Sequence, residues 1–248
     1  MKVSIIVPIY NEEQSLHKIF PAIVEQRKLP VDIEIIAVND GSSDRSKDIL
    51  DAHPEFYDHV IHRPRNGGKG AAVIDGLSKA SGDYILFQDA DLEYDPEEYA
   101  KLFAPVKTHN ADIVIGSRFI SPSQIRVFRY AHKIGNFFLS FAFNILNNTT
   151  FTDIYSCYFL YRRDLVQPSS LKTRGWEQQA EILGKAVKAG KIFYEVPISY
   201  HGRDFEEGKK IHWYHGFSVL RTILATRIFN RAPKSMAHIA KPSSAPSR

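Results

Sequence analysis

One cysteine, Cys157, stands among 248 residues, so no internal disulfide can form and no cysteine-based zinc site can be assembled. That scarcity favours a reducing, cytoplasmic setting. Long apolar runs are also missing: no stretch reaches the roughly 18 to 20 residues that span a bilayer. The opening MKVSIIVPIYNEE does not read as a signal peptide, because its apolar run is short, alternates like a strand and meets polar residues at once. Ten histidines are present, yet none falls in H-E-x-x-H spacing, and Cys157 has no evident histidine partner. No G-x-S-x-G elbow supports Ser-His-Asp chemistry. Internal repeats are absent.

What is there is ordinary in amount and informative in order. Hydrophobic residues make up 44% and charged residues 24%, enough for one substantial core in a soluble globular chain. The net charge of +4 suits acidic partners such as nucleotides, phosphates or anionic lipid. No binding motif supports nucleic acid, so none is expected as a partner.

Residues 3–9, 31–38, 59–62, 84–88 and 112–117 read as strands. Between them, a helix capped by Asn11 or Ser15 runs to about residue 27, another starts at Ser43 or Asp44, and a third covers 67–79. This alternation predicts an α/β fold: a Rossmann-like, doubly wound, mostly parallel sheet with helices on both faces. Such sheets bind ligands beyond the carboxyl ends of their strands. The polar clusters Tyr10-Asn11-Glu12, Asn39-Asp40 and Asp89-Ala90-Asp91 all fall at those ends, which predicts one shared site.

Beyond residue 118 the pattern changes. Residues 134–146 are apolar on nearly every side and follow Arg126, Arg129, His132 and Lys133. Residues 153–161 look extended, 176–189 helical, 191–200 a strand, and 211–229 an amphipathic segment. The last stretch, 231–248, lacks periodicity and is expected to be a mobile tail.

The sharpest chemical signal is Asp89-Ala90-Asp91, followed by Leu92 and Glu93. Two acids one residue apart, leaving a strand as it turns, can converge on a hard cation such as Mg²⁺ or Mn²⁺. The bland alternative is a capping turn before Pro96, and placement at a strand end tips the balance toward the cation. Asp40 can accept hydrogen bonds from a base or ribose, or serve only its own turn. Glu12 carries the same ambiguity. The run from Arg65 to Gly70, RNGGKG, precedes a helix and offers amides to a phosphate, although it is neither G-x-G-x-x-G nor a Walker A sequence. The charged segment 202–210 could close over a diphosphate, and Arg118 sits where a guanidinium can grip phosphate with two donors.

Together VSIIVPIYNEE, IIAVNDGSSD, RNGGKGAA, YILFQDADLEYDPEE, ADIVIGSRF, TDIYSCYFLYRRD and EVPISYHGRDFEEGKK resemble family 2 glycosyltransferases of the GT-A fold. The likeness is strongest to polyprenyl-phosphate sugar synthases such as the dolichol-phosphate mannose synthases. It covers residues 3–210 in consistent order. The resemblance implies a single domain over 1–230, with 1–118 the nucleotide-sugar half and 119–230 the acceptor half. It implies that Pro8, Tyr10, Glu12, Val38 and Asp40 line the nucleotide pocket. Asp89 and Asp91 then hold Mg²⁺ or Mn²⁺ with the sugar diphosphate, Ala90 packs beside them, and Arg118, Arg203 and Lys209 contact phosphates. Glu93, counted with Asp89 and Asp91 among the candidate metal ligands, replaces a glutamine of those synthases and adds charge beside the metal. Ser156 replaces the threonine of a bacterial D-x-x-T-C-Y pattern, and residues 175–179 lack an expected acid pair.

The implied reaction is an inverting transfer of a hexose from GDP-mannose or a UDP-sugar to a polyprenyl phosphate, at the cytoplasmic face of a membrane. Alternatives are a sugar-hydroxyl acceptor in cell-envelope polysaccharide synthesis, with Asp153 as base, and a nucleotidyltransferase. For a lipid acceptor, the aromatic stretch Phe137, Phe138, Leu139, Phe141 and Phe143 supplies a candidate interfacial surface. So does the last segment, with Lys209, Lys210, Trp213, Arg221 and Arg227. Burial in the core is the competing use of both.

Overall fold

The structure, a computed structural model, describes residues 1–120, 130–202 and 215–229. The expectations for Arg126, Arg129, Arg203, Lys209, Lys210, Trp213 and the tail 231–248 lie outside the described residues, as does the side chain of His132.

Among the described residues seven strands form one sheet: β1 (Lys2–Ile9), β2 (Asp32–Asn39), β3 (His59–His62), β4 (Tyr84–Phe87), β5 (Ile113–Ser117), β6 (Phe159–Arg162) and β7 (Phe193–Pro197). Their spatial order is β3-β2-β1-β4-β6-β5-β7. The helices are α1 (Leu16–Glu25), α2 (Ser46–Ala52), α3 (Lys69–Lys79), α4 (Tyr99–His109), α5 (Tyr130–Asn147), α6 (Gln178–Ala189) and α7 (His215–Phe229). They cover both faces of the sheet, as the alternation predicts.

Burial on both faces explains why the central strands read as apolar runs rather than alternating ones. Val3, Ile5, Ile6 and Val7 of β1 are fully buried, and so are Ile35, Ile36, Ala37 and Val38 of β2. Parallel pairing sets Ile9 opposite Asn39, and Ile6 opposite Phe87. The carboxyl ends of β1, β2 and β4 therefore open along one edge. One strand departs from the parallel set: β6 runs antiparallel to both β4 and β5, which flank it.

Residues 153–161 are not one extended segment. Only Phe159–Arg162 joins the sheet. The preceding turns are held by side chains instead: Gln179 Nε2 donates to the carbonyls of Ile154 and Ser156 at 3.2 and 2.5 Å, and the Cys157 amide donates to Tyr94 Oη at 3.1 Å. Those bonds satisfy backbone groups that a neighbouring strand would otherwise pair. The last strand is likewise shorter than expected. It ends at Pro197, and the Ser199 amide turns to the Glu98 carboxylate at 3.0 Å.

The aromatic stretch divides between core and surface. On α5 Phe143 is fully buried and Leu139 packs partly against the core, whereas Phe137, Phe138, Phe141 and Ile145 are exposed. The last helix differs from the amphipathic expectation, because it is apolar on two sides. Val219 and Ile223 are buried, while Phe217, Leu220, Leu224 and Ile228 face outward. Its close approach to α6 uses a glycine, since a Cβ on Gly184 would lie 2.7 Å from Cγ2 of Thr226. The two apolar helices also pack against each other.

Candidate active site

A cleft of about 380 Å³ opens at the carboxyl ends of the strands. Pro8 borders it at the end of β1, Tyr10 and Glu12 just after that strand, Asp40 after β2, and Asp89, Ala90, Asp91 and Glu93 after β4. Of the residues expected in a nucleotide pocket, Val38 is the exception. It is fully buried and packs toward Gly76 of α3, so its side chain belongs to the core.

The tip of β4 is set by a buried amide that the sequence did not single out. Gln88 is fully buried; its Oε1 accepts from Tyr99 Oη at 2.7 Å and Tyr158 Oη at 2.9 Å, and its Nε2 donates to the Asp89 carbonyl at 2.9 Å. All of its strong hydrogen-bonding capacity is thus spent on fixing where the chain leaves the sheet. Beyond it, Asp91 Oδ1 accepts the Glu93 amide at 3.1 Å, and Leu92 between them takes a positive φ of 64°. The turn expected as the bland alternative is therefore present together with the acid pair. Strained backbone of this kind for a non-glycine residue is uncommon and concentrates at functional sites.

Asp89 is paired with Lys69, the first residue of α3, whose Nζ lies 2.5 Å from Asp89 Oδ1. The ammonium also sits 5.4 Å from the centre of the Trp176 ring. Burial pulls the Lys69 pKa down, but the negative charge of Asp89, with Asp91 behind it, more than compensates, and the net direction is upward. Glu93 borders the same cleft, its Oε2 accepting from Tyr200 Oη at 2.6 Å. Among the described residues no three histidine, cysteine, aspartate or glutamate side chains converge to cage an ion.

The oxygens of Asp40 are met by groups of the protein itself. Its carboxylate accepts the amides of Gly67 and Gly68 at 3.0 and 2.9 Å, and is paired with the Arg63 guanidinium, which also reaches Asp75 at 2.8 Å. The amides of the glycine-rich run, expected to meet phosphate, here hold Asp40. Glycine is required at the facing turn: Gly41 has φ of 63°, and a Cβ there would lie 2.5 Å from the Arg65 carbonyl carbon.

A smaller cavity of about 80 Å³ adjoins the cleft, sharing Lys69, Asp89, Glu93, Trp176 and Tyr200 and adding Arg118 and Cys157. Arg118 is 13% exposed and grips the fully buried Asp153 with two donors, Nε at 2.7 Å and Nη2 at 2.8 Å. The Tyr200 ring lies 4.9 Å from its guanidinium carbon. Burial opposes the charge on Arg118, but Asp153 outweighs it and drives the pKa well up. Asp153, the candidate base, is consumed by this pair and by Asn136 Nδ2 at 3.1 Å. With both oxygens held by Arg118 and Asn136, Asp153 stands as an anchor for the guanidinium rather than as the base that was expected. Burial, followed by the Asp89 charge, raises the Cys157 thiol well above its usual range, consistent with a structural role.

Lys69, Trp176, Tyr200 and Gln88 are thus residues of the site that the sequence did not flag individually. Lys69 lay inside the basic glycine-rich run, and Tyr200 lies two residues before the charged segment 202–210. Those positions were the available signals.

A parallel-sheet edge with acids at one strand tip and a basic helix start opposite defines a class of fold and site that binds phosphorylated nucleotides. Comparison with known proteins narrows it. The family described as glycosyl transferase family 2 matches residues 4–168, and the chain belongs to that family. It is 31% identical over 225 residues to a dolichol-phosphate mannosyltransferase of Pyrococcus furiosus, covering 86% of this chain and 62% of that protein. It is 29% identical over 217 residues to an undecaprenyl-phosphate mannosyltransferase of Micrococcus luteus, covering 84% of this chain and 87% of that one. The chain thus spans less than two thirds of the archaeal relative and most of the bacterial one. Among solved structures, glucosyl-3-phosphoglycerate synthase from Mycobacterium tuberculosis with Mn²⁺, uridine diphosphate and glucosyl-3-phosphoglycerate superposes with a TM-score of 0.67 at 19% identity, covering 93% of this chain and 81% of that one. Residues 1–349 of S. aureus TarS with UDP-GlcNAc give 0.63 at 19% identity, covering 94% and 68%. The fold is GT-A.

Proposed function

We propose that this chain moves a hexose from a nucleotide sugar, GDP-mannose or a UDP-sugar, to a polyprenyl phosphate, with inversion at the anomeric carbon. The observation that carries the reading is the meeting of Asp89 and Asp91 with the Pro8–Glu12 and Asp40 segments around one cleft. The named activities of the two mannosyltransferase relatives point the same way.

The donor set fits a hard divalent cation. Asp89 and Asp91 offer carboxylate oxygens, and Lys69 already occupies the cation-attracting position at Asp89. Two protein carboxylates, with diphosphate oxygens and water completing the shell, is the usual arrangement for Mg²⁺ or Mn²⁺. Glu93, committed to Tyr200, acts on that position through charge rather than as a third ligand. Bound there, the cation supplies stabilisation of the charge that develops on the leaving nucleoside diphosphate.

The chain's own residues perform the rest. Asp40, by fixing Arg63 and the Gly67 and Gly68 amides, shapes the wall against which the nucleotide lies. Lys69 adds positive charge beside the diphosphate. The Arg118–Asp153 pair rigidifies the smaller cavity, where the acceptor's anionic end enters. A phosphate acceptor is ionised near neutral pH and needs no dedicated base, which agrees with Asp153 being tied up. A sugar-hydroxyl acceptor has a poorer fit for the same reason.

A lipid acceptor also gives the exposed apolar helices a use. Phe137 and Phe138 of α5 are 63% and 62% exposed, and Phe217 and Ile228 of the adjoining α7 are 69% and 67% exposed. No described helix is long and apolar enough to cross a membrane. We therefore assign this face to the cytoplasmic membrane surface, as a peripheral contact. Incubating the protein with a panel of radiolabelled nucleotide sugars and polyprenyl phosphate, then extracting lipid, tests the reading. Label in the organic phase from one donor is expected; label only in water-soluble glycan would defeat the lipid acceptor.

A further inference from the structure

The pairing of Lys69 with Asp89 places a tethered ammonium where the divalent cation is to sit. We propose that Lys69 is a resident stand-in for that cation: it neutralises Asp89 through their ion pair, and swings to the donor's diphosphate when metal and nucleotide arrive. Metal and donor binding are thereby coupled through one side chain. The inference rests on the reading of the cleft as a nucleotide-sugar site and assigns a control device within it.

Three observations separate this from an ordinary structural ion pair. First, the pair is open to the cleft. The Lys69 side chain is 24% exposed and that of Asp89 21%, so neither is sealed in the core and each can exchange partners. Second, the backbone beneath Lys69 is fixed, so a change of partner calls for movement of the side chain alone. Gly68 has φ of 90°, a Cβ on it would meet the Arg174 carbonyl oxygen at 2.8 Å, and the Ala71 amide donates to that same oxygen at 3.1 Å. A change of partner therefore needs only rotation of the four-carbon stem about a stationary root, beside the ring of Trp176. Third, Lys69 borders both the main cleft and the smaller cavity, at the place where donor and acceptor charges come together.

A tethered cation competes with a free one at an effective concentration in the millimolar range or above. A bare metal ion must displace the ammonium from Asp89 and leave it unpaired beside the newly bound charge. A nucleoside diphosphate removes that penalty, since its oxygens give the ammonium a charged partner. Coupling of this kind is reciprocal: nucleotide tightens metal and metal tightens nucleotide by the same factor.

The test is a titration of the purified chain with Mn²⁺, followed by the electron paramagnetic resonance signal of the free ion, alone and with saturating GDP or UDP. Lys69→Met is expected to bind Mn²⁺ alone about tenfold more tightly than the wild type, and to show a correspondingly smaller gain on adding nucleotide, within the usual span of coupling energies. Lys69→Arg keeps the charge and is expected to retain the wild-type coupling. A gain in metal affinity is not a result that misfolding produces. If wild type binds Mn²⁺ with nucleotide but Lys69→Met binds Mn²⁺ alone no better than wild type, the stand-in role is overturned while the nucleotide site survives. If neither protein binds Mn²⁺ with either nucleotide, the nucleotide-sugar reading falls and takes this inference with it.

Discussion

The two ends of the chain handle their polar and apolar groups in opposite ways. Around the carboxyl ends of β1, β2 and β4, charged side chains are paired inward: Asp40 with Arg63, Asp89 with Lys69. In the α5 and α7 pair, apolar side chains that could fill a core point outward instead. The first arrangement is what a preorganised electrostatic site requires, because fixed charges need no reorganisation when a ligand's charge appears. The second is what a surface for an apolar phase requires. The contrast separates grip from docking, and the two can be broken independently.

The largest effect is expected where the two regions meet, at the Arg118–Asp153 pair. Asp153→Ala leaves a guanidinium buried without its partner, which costs about 3 to 5 kcal/mol, measurable by urea unfolding. A loss below about 1 kcal/mol would mean that water reaches Arg118 and the pair is ornamental. Next comes Asp91→Asn, expected to lower sugar transfer by about 100-fold or more with Mg²⁺ or Mn²⁺ present while leaving the melting temperature close to wild type. Full turnover would remove the metal role from the acid pair.

A third prediction concerns a paired acid at the opposite edge of the sheet. Glu34 accepts from Ser4 Oγ at 2.5 Å, Ser81 Oγ at 2.6 Å and Lys2 Nζ at 3.0 Å. Burial opposes its charge, but these bonds prevail and hold its pKa at about 2 rather than 4.5. A depressed carboxylate stabilises the fold fully above its unfolded value and loses that contribution as pH falls toward the folded one. Glu34→Gln should therefore unfold with less dependence on pH between 4.5 and 2 than the wild type does. Equal slopes in acid titrations would assign the acid sensitivity elsewhere.

The smallest effect on stability, and a large one on docking, belongs to the outward face. Replacing Phe137 and Phe138 by serine is expected to change unfolding free energy by no more than about 0.5 kcal/mol per site, as for exposed positions generally. Flotation with anionic vesicles should fall several-fold. Unchanged flotation, or no flotation of the wild type at any salt, would detach this face from the membrane.

Much of the sheet was legible because its strands are apolar runs bounded by turn residues, and the match of 59–62 to β3 shows how far that carries. The shared edge was legible too, since polar clusters can follow buried strands only where the chain leaves the core. What could not be read were choices among partners distant in sequence. Asp40 was equally suited to a ribose or to its own turn, and only the fold brings Arg63 to it. Asp153 looked available as a base until Arg118 closed on it. Gln88 gave no signal beyond its position, since its meaning depends on Tyr99 and Tyr158 reaching it from separate elements. Segment 153–161 misled through composition, because its apolar residues pack from turns rather than from a strand.

The antiparallel strand β6 has a bearing on how such a chain can be made. It fills the slot between β4 and β5, both of which emerge from the ribosome well before it. Until residues 159–162 arrive, two central strands wait with bare hydrogen-bonding edges, the condition under which nascent sheets pair wrongly. A chain cut after residue 118 would keep the acids and the cleft-side turns yet lack the strand that joins them to their neighbours. Residues 84–87 and 113–117 are therefore joined only through a strand supplied from later in the chain.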